Sequence, residues 1–525
     1  MEWIISGQKK SSDFFELVSK TTKKKDAFGI LPKGSFLTTQ EIEGGVRMIL
    51  RVVESSQHEQ YSPSPMIVNM DLSPLSADQK SLNIILAQVV GFTKQRDDGL
   101  FHHIPPLTIC RRSTNDEINK VVGTDKKGPP IFLATFQSSQ SQVLINNNKK
   151  PVFVRIPEEA YFHQMMVCGK TGSGKTVALK YLAQHFIEDL DGAVLAINVK
   201  EQDLLYMNRA STVINDSIKK EWDVLGKEAK GITNNMIYYP ATQTNPPHGI
   251  DSPSAKISLD VKTIEPTALT GLLLNLTPLA SQALPDIFRF WRELYVDKPR
   301  DFQFTDFVDY FNRAGEEEEN RYYFDNLNEV GQETGYALNH GVYYGLQRNL
   351  IQAQTYFDQP NSINIDENEI LKKGQMSVID VLSQTEFGSV LLRDLLYKIE
   401  KAKDEKTEGY NIPILIIIDE VNSFYSSNSS KEALGVLSKI CREGRSKKMG
   451  IIFASQNPTD IPRGLSSVIN THIFFKTDSN DVKKLGFKPA ETSMLRKGYA
   501  VAQIHELSQV RIVKFPLSYS GVLNE

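Results

Sequence analysis

Hydrophobic and polar positions follow two different rhythms along this chain. From the start to about Pro157, short apolar runs such as VRMILRVVES, SPMIVNMDL, PPIFLATF and PVFVRIP are separated by clusters rich in Gly, Pro, Ser and Asn. That spacing predicts a small β-rich domain over residues 1–150, closed as a barrel. Ser81 to Phe92 and Asn115 to Val122 each read as a helix inside it, and INNNKKP at Ile145 to Pro151 reads as a turn and domain seam.

Beyond that seam the apolar runs become continuous. MMVC at Met165, GAVLAINV at Gly192, SVIDVL at Ser377, IPILIIIDE at Ile412 and MGIIFASQNP at Met449 carry no polar alternation, which is the pattern of strands buried on both faces. Helical segments lie between them, among them TVALKYLAQHF and KEALGVLSKICREGRSKK. In the helix after Leu382, Phe387, Val390, Leu391, Leu395 and Ile399 share one face. The expected fold class is α/β, a mostly parallel sheet covered by helices on both sides. Between Thr263 and about Gln359 the steps turn to three and four residues, as in TALTGLLLNL, ALPDIFRFWRELYV and FTDFVDYFNRA. This predicts an inserted helical subdomain over 263–370, which divides the α/β core into 151–262 and 371–525. EEEEN at Glu316 reads as a solvated turn.

Composition narrows the picture in three ways. The 525 residues are 40% hydrophobic, enough for several real cores. A formal net charge of −3 excludes a generally basic surface, so any nucleic-acid contact must come from a local patch. Cys110, Cys168 and Cys441 lack metal-ligand spacing and suit buried thiols in a reducing cytoplasm. No apolar run reaches the roughly 18 residues that span a bilayer, and Met1 to Lys25 has no leader-like apolar stretch.

The candidate chemistry centres on VCGKTGSGKT. Gly169, Lys170, Thr171, Gly172, Ser173, Gly174, Lys175, Thr176 and Val177 follow an apolar strand and open a helix, the context the G-x-x-x-x-G-K-[ST] loop requires. Its backbone N–H groups cradle phosphates, Lys175 reaches the terminal phosphates of ATP, and the Thr176 hydroxyl is a ligand for Mg²⁺. Such a loop needs a carboxylate partner. Asp419 and Glu420 end IPILIIIDE, on a strand expected beside the loop strand, with Asp419 as the metal holder and Glu420 as the base for the attacking water. Gln456 ends the next strand as a sensor of the terminal phosphate. Arg442 and Arg445, three apart, are expected on one helical face, as arginine fingers for a neighbouring subunit. Lys200, Lys447 and Lys448 are further basic positions, each of which taken singly is most simply a solvated lysine.

Together GKTGSGKT at Gly169, IIIDEVNSF at Ile416, CREGRSKKMGIIFASQNP at Cys441 and INTHIFFK at Ile469 resemble the HerA/FtsK superfamily of P-loop motors, and within it the HerA-like ATPases. The resemblance runs from about Val152 to the C-terminus, and the β-rich front is similar to that family's N-terminal barrel. It implies a RecA-like P-loop ATPase core, a homohexamer with ATP at subunit interfaces, double-stranded DNA in the central channel, and a nuclease or NADase-type effector as partner. The implied activity is DNA translocation in DNA processing or antiphage defence; a nucleotide-dependent ring scaffold for an effector is the alternative, and a conjugation or packaging motor a third. Asn198, Ser446 and Asn457 depart from the family pattern.

Overall fold

The computed structural model describes residues 2–8, 13–20, 31–59, 81–94, 104–122, 127–137, 139–146, 150–199, 204–243, 245–247, 251–272, 277–296, 301–314, 316–318, 320–381, 384–407, 409–425, 431–507 and 511–523. Two compact units account for it: residues 1–157 with 474–516, and residues 158–473 with 517–525.

In the first unit six strands close a barrel: β1 (Glu2–Gln8), β2 (Phe14–Lys20), β3 (Phe36–Thr39), β4 (Met48–Glu59), β5 (Ser81–Phe92) and β6 (Ile109–Arg112), in the order β1-β2-β5-β4-β3-β6. Alternation with period two sends Trp3, Ile5, Leu17, Leu50, Val52 and Ile85 into one core. The Ser81 to Phe92 segment is therefore a strand and not the expected helix. Its local pattern is ambiguous, and antiparallel pairing with both β2 and β4 decides it, because alternate residues such as Ile85 and Ala87 then reach the barrel interior. The expected helix at Asn115–Val122 (α1) is present. A second antiparallel sheet in this unit joins β7 (Pro130–Gln137), β8 (Gln140–Val143) and β9 (Phe153–Arg155) to two late strands, Tyr499–Gln503 and Arg511–Lys514.

The second unit contains β10 (Met165–Cys168), α2 (Lys175–Leu190), β11 (Ala193–Asn198), β12 (Asn234–Pro240) and β13 (Ser254–Ile257), then α3 (Pro278–Val296) and α4 (Phe304–Ala314). It continues through β14 (Glu316–Glu318), β15 (Arg321–Leu327), β16 (Glu333–Asn339), α5 (His340–Ala353), β17 (Gln375–Asp380), α6 (Thr385–Glu405), β18 (Ile414–Ile418), α7 (Lys431–Glu443), β19 (Met449–Ser455) and β20 (Thr471–Phe474). The main sheet runs β13-β12-β17-β11-β18-β19-β10-β20. Every pair from β13 to β10 is parallel. All of β11, β18 and β19 is buried, as continuous apolar strands require when helices cover both faces. Phe387, Val390, Leu391, Leu395 and Ile399 form the buried face of α6, as their spacing predicts.

The inserted region is not purely helical. Beside α3, α4 and α5 it carries the antiparallel sheet β14-β15-β16, so the EEEEN run begins as a strand and not as a turn. Alternation was present in RYYFDNL, whose Tyr322 and Phe324 are buried while Arg321, Tyr323 and Asp325 are exposed. Tyr322 stacks on Tyr343 of α5 with centroids 3.7 Å apart, which fixes that register.

Candidate nucleotide site

The loop between β10 and α2 has the backbone that its glycines permit. Gly172 (φ 74°) and Gly174 (φ 108°) lie in the left-handed region, and Gly174 is the N-cap of α2. Side chains at those two positions would strain the turn that aims the N–H groups inward. Ser173 is buried, and its hydroxyl has no protein partner. Lys175, equally buried, folds its ammonium back onto the loop carbonyls of Gly169 (2.5 Å) and Lys170 (3.4 Å). An orphaned hydroxyl and an ammonium held by carbonyls within an N–H-lined cradle fit phosphate oxygens, which would offer both groups stronger partners.

The parallel register places the other candidates. β19 pairs with β10 on one side, Cys168 opposite Ser455, and with β18 on the other, Ile418 opposite Phe453. The carboxylate strand is thus one strand removed from the loop strand, a correction to the expected adjacency. Interposing β19 puts Gln456, the residue after that strand, between the phosphate loop and the carboxylates. Gln456 Nε2 donates to Glu420 Oε1 at 3.4 Å. Glu420 sits at φ 52°, a left-handed conformation rare outside glycine, and its N–H donates to Asp419 Oδ1 at 3.0 Å. Backbone outliers of this kind collect at functional sites. Both are buried at the sheet's carboxyl edge, where open α/β sheets bind ligands.

Among the described residues no cluster of three His, Cys, Asp or Glu side chains could hold a metal. Mg²⁺ needs no such cluster, since it keeps waters and takes phosphate oxygens alongside one or two protein ligands.

The arginines part company. α7 ends at Glu443, short of the expected run to Lys448, and Gly444 after it sits where a Cβ would stand 2.5 Å from the Ile440 carbonyl and 2.7 Å from that of Met449. Arg442 is in the last helical turn and Arg445 in the turn beyond, so they do not share the expected helical face. Both are exposed, with Arg445 Nε 3.6 Å from Glu159. Leu434, Leu437, Ile440 and Cys441 do form the packing side of α7. Lys447 is withdrawn among Glu400, Asp404 and Glu443, which takes it out of any exposed basic patch. Lys448 is exposed, and Lys200 lies outside the described residues.

Two features went unread in the sequence. Asp380 ends β17 beside Asn198 of β11. It is fully buried, accepts from Asn198 Nδ2 at 2.8 Å through Oδ1, and its Oδ2 has no partner. Burial pushes its carboxyl up to about 6, against the Asn198 hydrogen bond. The other is the segment after Leu517, which straps the cradle helix: Lys180 Nζ donates to the Gly521 carbonyl at 2.6 Å and Ser520 Oγ to Gln184 Oε1 at 3.1 Å. Polar residues inside α2 were the available signal.

Fold and site define a P-loop protein with a RecA-like core. Its likeness to known proteins is more particular, although no family model matches the chain. Over 124 residues it is 27% identical to the DNA double-strand break repair helicase HerA of Saccharolobus solfataricus, covering 22% of this chain and 25% of that protein. The HerA of Sulfurisphaera tokodaii is 29% identical over 119 residues, 22% of this chain and 24% of the relative. The matched stretch is HerA-like, and it spans about a quarter of the length of these relatives. Among solved structures, the bacterial conjugative coupling protein TrwB superposes with a TM-score of 0.45 at 12% identity, over 78% of this chain and 92% of that one.

Proposed function

We propose that this chain is an ATP-hydrolysing, ring-forming motor that translocates double-stranded DNA in the cytoplasm, as a homohexamer working with a nuclease or NADase-type effector in DNA processing or defence. The observation that carries the reading is the Glu420–Gln456 contact, on the strand end interposed between the phosphate loop and Asp419. In this reading Lys175 leaves the Gly169 carbonyl for the terminal phosphates of ATP, and Gly169 to Val177 wrap the remaining phosphate oxygens. Thr176 and Asp419 would hold Mg²⁺, which supplies neutralisation of the phosphate charge. Glu420 orients the attacking water and accepts its proton, and Gln456, hydrogen-bonded to Glu420, passes a change at that carboxylate to β19. Arg442 or Arg445, exposed at the end of α7, completes a neighbouring subunit's site. The HerA likeness supports the DNA-handling part of the proposal.

The test is ATP turnover with and without duplex DNA at low salt, on material whose subunit number is measured by light scattering. Stimulation by duplex on a hexamer is expected. A ring whose turnover ignores DNA would remove the translocase and leave a nucleotide-dependent scaffold, and turnover by a monomer would remove the ring.

A further inference from the structure

Within the first unit, a cavity of about 140 Å³ opens between the barrel wall and the late segment around Phe487, lined by Lys33, Arg51, Gln88, Gly486, Phe487 and Ile512. Its charges do not balance. Lys33 is neutralised by Glu491 at 3.2 Å and lies 4.0 Å over the Phe487 ring. Arg51, on β4, is mostly buried; its Nη2 donates to Gln88 across the strand pair at 3.2 Å, and its Nη1 has no partner. Arg511, next to Ile512 in the late strand, is only 3% exposed and also leaves Nη1 unpartnered. Among the described residues no carboxylate acts on either guanidinium, and Arg51 repels Arg511. Burial holds Arg51 down to about 10, and burial with that repulsion holds Arg511 down to about 9, so both remain cationic at neutral pH.

Two buried like charges with free N–H donors are costly unless an anion joins them. We infer that this cavity is an oxyanion site, in which Arg51 with Gln88 receives one phosphate-sized or carboxylate-sized group and Arg511 supplies field from nearby. The planar guanidinium fork suits such an anion. The volume sets the ligand class: drug-sized or nucleotide-sized ligands need about 300 Å³ or more, so a single oxyanion fits and a whole nucleotide does not. Nothing in this inference depends on the ATPase reading.

The full-length Lys175→Ala variant, whose phosphate loop is disabled, separates the two sites. Its thermal midpoint is followed against inorganic phosphate, sulfate, acetate and chloride at matched ionic strength. Phosphate and sulfate raising the midpoint above chloride by more than they do in the Arg51 variants identifies a bound tetrahedral anion, since both also stabilise proteins by exclusion, and acetate doing so alone identifies a carboxylate such as an acidic side chain; either supports the site. Arg51→Lys, which keeps the charge but loses the fork, should weaken the response about tenfold. Arg51→Met should abolish it while raising the anion-free midpoint, because an unpaired buried charge has gone; a guanidinium kept only for packing would lower that midpoint instead. If chloride serves as well as the oxyanions, or if Arg51→Lys leaves the response intact, the site is an adventitious ion only and the inference is overturned. Lys175→Ala with and without Arg51→Lys decides the matter should Arg51→Met not fold.

Discussion

Glu117 in the first unit and Asp380 in the second are both buried carboxylates, and they are treated in opposite ways. Burial alone would push Glu117 up, yet Arg111 (2.6 and 2.9 Å), the Thr114 N–H (2.9 Å) and the Thr38 hydroxyl (3.0 Å) converge on it and hold it down to about 2. Asp380 meets one amide, and desolvation wins. The difference separates two uses of polarity. Around β3, β6 and α1 every lone pair of Glu117 that matters is occupied, so the group cements the barrel wall. At the carboxyl edge of the parallel sheet, Asp380 Oδ2 and the Ser173 hydroxyl lack a hydrogen-bond partner among the described residues and Lys175 rests on loop carbonyls, a pattern that marks candidate functional sites.

The sharpest test of that contrast is at the edge itself. Glu420→Gln should lower ATP turnover by about 10²- to 10⁴-fold while nucleotide binding persists, as read by phosphate release against binding of a fluorescent nucleotide. Unchanged turnover would make the edge carboxylates structural, like Glu117.

Next in size is the barrel. Glu117→Ala should cost roughly 2–3 kcal/mol in denaturant unfolding, since charge-assisted bonds are lost and the buried Thr38 hydroxyl loses one of its partners. Because the folded-state value lies below the usual 4.5, this contribution is present above about pH 4.5 and fades as pH falls toward 2, a dependence the variant should lack.

Asp380→Asn should act in the opposite direction and more gently. The folded state holds the Asp380 proton more tightly than the unfolded chain does, so wild-type stability declines as pH rises from about 4 to about 6. The asparagine variant should be flat over that window and more stable above pH 6 by roughly 2 kcal/mol, after discounting for water reaching the strand end. A variant less stable than wild type at pH 7 would mean that Asp380 is a cementing group after all.

Much of this molecule was legible before its tertiary structure. Continuous apolar runs announced β10, β11, β18 and β19, because a strand covered on both faces leaves no room for alternation. The G-x-x-x-x-G-K-[ST] spacing announced the cradle, because left-handed turns at Gly172 and Gly174 demand glycine locally. Strand order was beyond reach: spacing along the chain does not say that β19 separates β18 from β10, and only that interposition brings Gln456 to Glu420. Ser81 to Phe92 became a strand through pairing partners far away in sequence. Lys447 left the list of exposed bases because Glu400 and Asp404 of α6 enclose it, and the repulsion between Arg51 and Arg511 exists only because the fold brings two remote positions together. Backbone conformation and burial pattern are written in neighbouring residues, whereas which charge finds a partner is a property of distances that folding alone creates.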